Sequence, residues 1–267
     1  MDKDLPARIR EQRAADRFGT FDYQSWVLPN HKCLYVAVGK NACTRVKATL
    51  LQLDGQTLPK SPGRIHDMGK HLSDFPADRV AEILSSPDWL RFCFVRNPYY
   101  RLFSAYKSKM LDYLDPQYRW VRDEIRASCG YPLRNGIPAG VVTFRDYVTF
   151  VEARLETVPD GHWSRQTDLL RPELIPYGEI GRFEHFQHDF ERILRRLHAP
   201  DELLATCTDV MNPTTKMYHA AVYDRELAGR VYRMYKADFE AFGYERDSWL
   251  FDYDWETEQR SQPEVRS

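Results

Sequence analysis

The sequence predicts a single-domain α/β protein in which a parallel β-sheet is flanked by helices. Three observations predict it. Residues 33–38 (CLYVAV) and 90–95 (LRFCFV) are short, almost wholly apolar runs of the kind a strand buried on both faces needs. Each is followed by a stretch with helical spacing. A third run, 179–183 (EIGRF), again precedes a helical stretch, at 185–197. Strands that alternate with helices read as a parallel sheet, and ligands of such sheets sit beyond the carboxyl ends of the strands.

Taken in order, residues 1–30 are polar and mixed and read as an arm with a short helix. The first strand ends at Gly39, and residues 43–53 have helical spacing with Val46, Leu50, Leu51 and Leu53 on the apolar side. A turn-rich connection and a helix at 77–85 lead to the second strand. Asn97-Pro98 starts the next helix, since Asn is a good N-cap and Pro is tolerated at the first helical position; this helix is expected to run to about Leu111. Residues 113–142 read as irregular, with Tyr113, Tyr118, Arg119, Trp120 and Arg122 either stacking on a ligand or packing in the core. Helices are expected at 144–155 and 224–242. The domain is thus placed at 31–250, between the arm and a polar tail at 251–267.

Composition excludes several classes. The chain has 267 residues, with 38 Lys plus Arg against 39 Asp plus Glu, so the net charge is −1. No global basic excess points to nucleic acid. No apolar run approaches the ~18 residues that span a bilayer. The first residues lack the apolar stretch of a secretory signal. The five cysteines, Cys33, Cys43, Cys93, Cys129 and Cys207, are odd in number and have neither CxxC nor zinc spacing. A cytoplasmic location and no metal site are the expectations.

Two strand ends carry chemistry. The first is Val38-Gly39-Lys40-Asn41-Ala42-Cys43-Thr44. Outward N–H groups at a helix start favour anions, Lys40 adds a positive charge and Thr44 a hydroxyl. It is not a Walker A loop: Leu34 stands where that motif has Gly, and Asn41 where it has Ser or Thr. Alone it also reads as an ordinary strand–helix turn. The second is VRNPYYRLFSAY at 95–106. Arg96 ends a strand, and Ser104 lies on a helical stripe with Tyr100, Arg101 and Lys107, so that Arg96 and Ser104 are placed to converge on one phosphate. The alternative is an Arg paired with a carboxylate and a packed Ser.

Together these motifs resemble the sulfotransferases that use 3′-phosphoadenosine 5′-phosphosulfate (PAPS), and among them the carbohydrate branch with the chondroitin and HNK-1 enzymes. Lys40, Cys43 and Thr44 match the family's Pro-Lys-x-x-Cys-Thr, with Gly39 in place of Pro. Arg96, Pro98, Arg101, Leu102, Ser104, Ala105 and Tyr106 match its second motif. His162-Trp163, Tyr177, Gly181, Phe183 and Glu184 keep the spacing of a third segment, and the similarity continues through Thr214-Thr215 to Tyr244. Leu170 and Glu173 stand where luminal animal members have a Cys-x-x-Cys, and no membrane anchor is seen, as in a soluble bacterial-type relative.

The resemblance implies a P-loop-like fold, a sulfotransferase domain over 31–250, and transfer of a sulfuryl group from PAPS to an acceptor hydroxyl, on a carbohydrate. It implies that Lys40, Asn41, Ala42, Cys43 and Thr44 hold the 5′-phosphosulfate, Lys40 neutralising charge on the leaving phosphate. Arg96 and Ser104 take the 3′-phosphate, and Thr214 and Thr215 lie over the nucleotide. No metal is implied. A base is needed, and His is the usual choice near neutral pH. Of the eight histidines, His66 is placed where related enzymes have one; His71 and His162 are its rivals, and His162 and Trp163 are expected near the acceptor, with Arg165 and Gln166 either beside it or at the surface. The other classes compatible with the residues are a P-loop-type kinase and a non-catalytic nucleotide- or glycan-binding protein.

Overall fold

The structure, a computed structural model, describes residues 21–112, 116–205 and 222–250. Its centre is a four-stranded sheet made by β1 (Ser25–Leu28), β2 (Cys33–Val36), β3 (Leu90–Val95) and β6 (Glu179–Arg182), in the order β1-β2-β3-β6. β2, β3 and β6 are parallel, and β1 is an antiparallel edge. The expected parallel sheet with flanking helices is therefore present. Residues 21–30, expected in the arm, instead supply helix α1 (Phe21–Gln24) and β1, so the folded unit begins before residue 31. β1 is short and begins with Ser25, which hid it from a search for apolar runs.

Alternate strand residues face opposite layers, because side chains of a strand point to alternate faces. Leu34, Val36, Cys93 and Val95 pack with Val80, Ile83 and Leu84 of α3 (Ala77–Ser85). Cys33, Tyr35, Phe92 and Phe94 pack with Val46 and Leu50 of α2 (Cys43–Leu53) and with Phe190 and Ile193 of α8 (Phe186–Arg196). Gly181 lies against the Phe94 ring: a Cβ there would meet it at 2.4 Å.

A helical layer completes the fold. It is built from α4 (Pro98–Tyr106), α5 (Arg119–Ser128), α6 (Phe144–Arg154), α10 (Arg225–Met234) and α11 (Lys236–Phe242), and shares a core around Tyr99, Val121, Tyr147, Val148 and Val231. Asn97 caps α4 as expected, its Oδ1 accepting from Tyr99 N at 3.0 Å. Beyond Tyr106 the helix widens into a π-helical stretch, Lys107–Asp112. The segment expected to be irregular holds α5 and a hairpin of β4 (Leu133–Arg134) and β5 (Ile137–Pro138). The single helix expected over 224–242 breaks at Tyr235, whose hydroxyl donates to Trp163 O at 2.6 Å. The short α7 (Gln166–Leu170) and α9 (Asp201–Ala205) link these layers.

Candidate functional site

The carboxyl ends of β2 and β3 lie side by side, so the two sequence motifs meet. Past Val38 the chain turns through Lys40 and Ala42, which adopt the left-handed region with φ of 72° and 59°. Such a conformation costs a non-glycine residue roughly 1–2 kcal/mol, and alternation of hands in successive residues makes a concavity that takes anions. α2 starts at once, and the first N–H groups of a helix have no partners within it. Asn41 does not contribute to the cradle as expected. Its N–H bonds back to Val38 O at 3.2 Å, and its side chain is fully buried, donating to Phe94 O at 2.8 Å and Gln166 Oε1 at 2.7 Å.

Arg96 arrives from β3. Its Nη1 donates to Lys40 O at 2.9 Å, its guanidinium lies 3.9 Å from the Phe183 ring centre, and its buried Nε has no partner. Among the described residues neither Lys40 nor Arg96 forms an ion pair with a carboxylate, so no described residue makes Arg96 half of a salt bridge. Burial, with Arg96 as a second cause, lowers the Lys40 ammonium to about 8. Burial likewise lowers Arg96 to about 10, against the opposing pull of Glu184. Arg96 is buried and Lys40 half-buried, and a charge withdrawn from water without a counter-charge is costly, so an anion beside them would be favoured. Ser104 is buried on α4, and its hydroxyl makes no hydrogen bond among the described residues.

The loop is fixed from behind. Gln166 is fully buried: it accepts from Arg96 N at 2.9 Å and donates to Arg96 O at 2.8 Å, besides its bond to Asn41. It is thus a brace of the site and neither an acceptor contact nor a surface residue. Arg165 is turned away, donating to Met234 O and pairing with Glu156 and Asp168. Arg101, also buried, donates to Gly39 O at 3.1 Å, Ser164 O at 2.7 Å and Gly161 O at 2.9 Å, tying the turn 161–164 to the loop. Gly39 permits that approach, because a Cβ there would lie 2.5 Å from Gly161 O and 3.6 Å from His162 Cα. The proline of the similar motif would not fit here.

The histidines separate by environment. His71 is buried away from the loop, its Nδ1 on Ser25 O and Asp22 O. His66, on the 3₁₀ turn Pro62–Asp67, has Nε2 3.2 Å from Thr44 Oγ1 and Nδ1 3.3 Å from Lys47 Nζ. Burial, then Lys47, lowers it to about 4. Lys47 is itself buried, 4.6 Å from the centre of the Trp26 ring. His162 stands beside the loop. Trp163 does not reach a ligand as expected: it is fully buried, its Nε1 donating to Val158 O at 3.1 Å. Of the aromatic and basic cluster, Tyr118 packs on His162 and Trp163, Arg122 is buried, and Trp120 is exposed. Thr214, Thr215 and Tyr113 lie outside the described residues. Lys47 and Asp160 were not singled out from sequence, and the bracing roles of Arg101 and Gln166 were not foreseen; these side chains act on backbone atoms and neighbours that only the fold brings near.

The ends of two adjacent parallel strands thus bring Lys40 and Arg96 together beside the start of a helix. The model of the sulfotransferase family matches residues 23–245, and the chain belongs to that family. It is 28% identical over 250 residues to carbohydrate sulfotransferase 10 of Xenopus laevis, covering 85% of this chain and 68% of that one. It is 27% identical over 223 residues to carbohydrate sulfotransferase 14 of Danio rerio (80% and 60%) and 25% identical over 241 residues to carbohydrate sulfotransferase 11 of Rattus norvegicus (83% and 67%). The match thus spans between 60% and 68% of these relatives' lengths. No solved structure matches the chain.

Proposed function

We propose that the protein transfers a sulfuryl group from PAPS to a hydroxyl of a carbohydrate, in a P-loop-like site. The observation that carries this reading is the meeting of Lys40 and Arg96, two cations without carboxylate partners among the described residues, at the ends of adjacent parallel strands. Membership of the sulfotransferase family supports the reaction, and the relatives named above support the acceptor class.

In this reading the 5′-phosphosulfate rests on the start of α2, with Thr44 and the first N–H groups, and Arg96 and Ser104 take the 3′-phosphate. The acceptor oxygen attacks sulfur, the bond from sulfur to the 5′-phosphate oxygen breaks, and Lys40 neutralises the charge that collects there. His66 acts from behind Thr44. Lys47 can only donate, so Nδ1 of His66 accepts and Nε2–H is directed at Thr44 Oγ1. That leaves the Thr44 proton for a phosphate oxygen. A reducing, cytoplasmic setting remains part of the proposal, in keeping with the free Cys33, Cys43, Cys93 and Cys129.

The test uses ³⁵S-labelled PAPS with a panel of unsulfated glycans in excess EDTA. Label should pass to a glycan, because the position after the loop Lys, which in a kinase holds Mg²⁺ through a hydroxyl, is an Asn41 committed to Phe94 and Gln166. ATP with Mg²⁺ as the working donor would reverse the assignment to a kinase.

A further inference from the structure

His162 occupies a turn that Gly39 admits against the phosphate loop and that Arg101 clamps there. Its side chain is 29% exposed, enough for one edge of the ring to meet a ligand. The other edge is held. Nδ1 lies 2.8 Å from Asp160 Oδ1 and 2.7 Å from the Tyr118 hydroxyl oxygen, and Tyr118 donates to Asp160 Oδ2 at 2.9 Å. An ionised carboxylate only accepts. The proton therefore sits on Nδ1, and the lone pair on Nε2, which bonds to none of the described residues. Asp160 is itself anchored: its Oδ1 accepts from His162 N at 2.7 Å, and its N–H donates to Ser164 Oγ at 2.9 Å. Burial alone would push the Asp160 carboxyl up, but the bonds from His162 and Tyr118 outweigh it and hold the carboxyl below its ordinary range.

His66 offers nothing comparable, since Lys47 and Thr44 occupy both of its nitrogens.

We propose that His162 is the general base of the reaction, taking the acceptor proton at Nε2, with Asp160 and Tyr118 as positioning residues that fix its tautomer. This rests on the PAPS reading above. As the acceptor oxygen bonds to sulfur, the electron pair of the breaking sulfur–oxygen bond leaves on the 5′-phosphate, and the hydroxyl proton passes to Nε2. The nucleotide departs as 3′-phosphoadenosine 5′-phosphate (PAP), and the imidazolium formed faces Asp160. The groups around the ring are Asp160 and Tyr118 on one edge and the cations Lys109 and Lys40 beyond, with His66 nearby. Burial and those cations outweigh Asp160 and lower the imidazole below its ordinary value, so it is neutral, and competent as a base, at pH 7.

The experiment compares wild type with H162Q, D160N and H66Q. It measures label transfer from PAPS to the glycan that wild type sulfates best, with release of labelled sulfate to water as a second acceptor, and binding of PAP by calorimetry. H162Q should lose about 10²–10⁴-fold in kcat, the usual contribution of a positioned base, while its PAP Kd stays within about twofold. D160N should lose a smaller factor and shift the acid limb of the pH–rate profile. H66Q should raise the donor KM and lower kcat less than H162Q does. Imidazole added to H162G should restore part of the rate, which separates a missing base from a disturbed fold. An H162Q enzyme within about threefold of wild type, or H66Q as the more damaged variant in kcat, overturns the assignment. So does a wild type that binds PAP but transfers to neither glycan nor water. Failure of wild type to bind PAP is a different result, and removes the donor reading on which the assignment stands.

Discussion

Lys40 carries its charge where burial and the neighbouring Arg96 both oppose it, and this makes its proton a reporter of ligand. In the free protein the ammonium titrates near about 8. A bound phosphate favours the charged form and raises that value. Binding of PAP at pH 8 should therefore take up a substantial fraction of a proton, and affinity should fall as pH rises above 8. Calorimetry in two buffers of different ionisation enthalpy measures the uptake, and K40M should abolish it. Gly39 makes a second residue-scale prediction. With Gly161 O only 2.5 Å from the position of an added Cβ, G39A should cost about 1–3 kcal/mol, the range of an overpacked site, and lower turnover by displacing the turn that bears His162. Urea unfolding and a rate measurement check it. Lys40, Thr44 and Arg96 were legible in the sequence as residue types at a strand end. The positive φ of Lys40 and Ala42 was not, because neither residue type favours that conformation and only the packed loop imposes it.

At the scale of elements, the strands and helices that position the site were legible because each has one period throughout. Cys43–Leu53, Ala77–Ser85 and Leu90–Val95 fall where spacing placed them. α5 was missed although Tyr118, Val121 and Ile125 mark a helical stripe, since three prolines in the surrounding segment suggested irregular chain. The Asn135-Gly136 turn, with φ of 51° and 76°, is a hairpin signal that was overlooked. The brace between elements was beyond reach of any periodicity: Gln166 on α7 holds Asn41 and Arg96, and Asp238 on α11 accepts from Gln166 N at 2.8 Å and Thr167 N at 2.8 Å. Replacing Gln166 by Leu leaves the Arg96 N–H and the Arg96 carbonyl unpaired in the interior and takes from the Asn41 amide one of its two acceptors, the bond to Phe94 O remaining. At about 1–3 kcal/mol for each such group, Q166L should lose at least about 2 kcal/mol of stability, and PAP binding should weaken with it. Chemical unfolding and calorimetry on the same variant test both statements.

The molecule as a whole places its chemistry at the carboxyl ends of the central strands β2 and β3, which are buried on both faces. That arrangement has a cost in pH sensitivity. His66 binds its proton only near about 4 in the folded chain, whereas in the unfolded chain a histidine does so near ~6.5. Between those values the unfolded chain holds more protons, so stability rises with pH across the window and is lost as pH falls from 6.5 towards 4. His162 acts in the same direction. H66N should flatten that part of the stability profile. The central claim, that the Lys40–Arg96 pair is built for a nucleotide with phosphates at both 3′ and 5′ positions, is tested most directly by the affinity of the wild-type chain for PAP against adenosine 5′-monophosphate. A charge-assisted bond to the second phosphate is worth about 1.5–3 kcal/mol, so PAP should bind about 10- to 150-fold more tightly. Equal affinity for the two nucleotides would contradict the account.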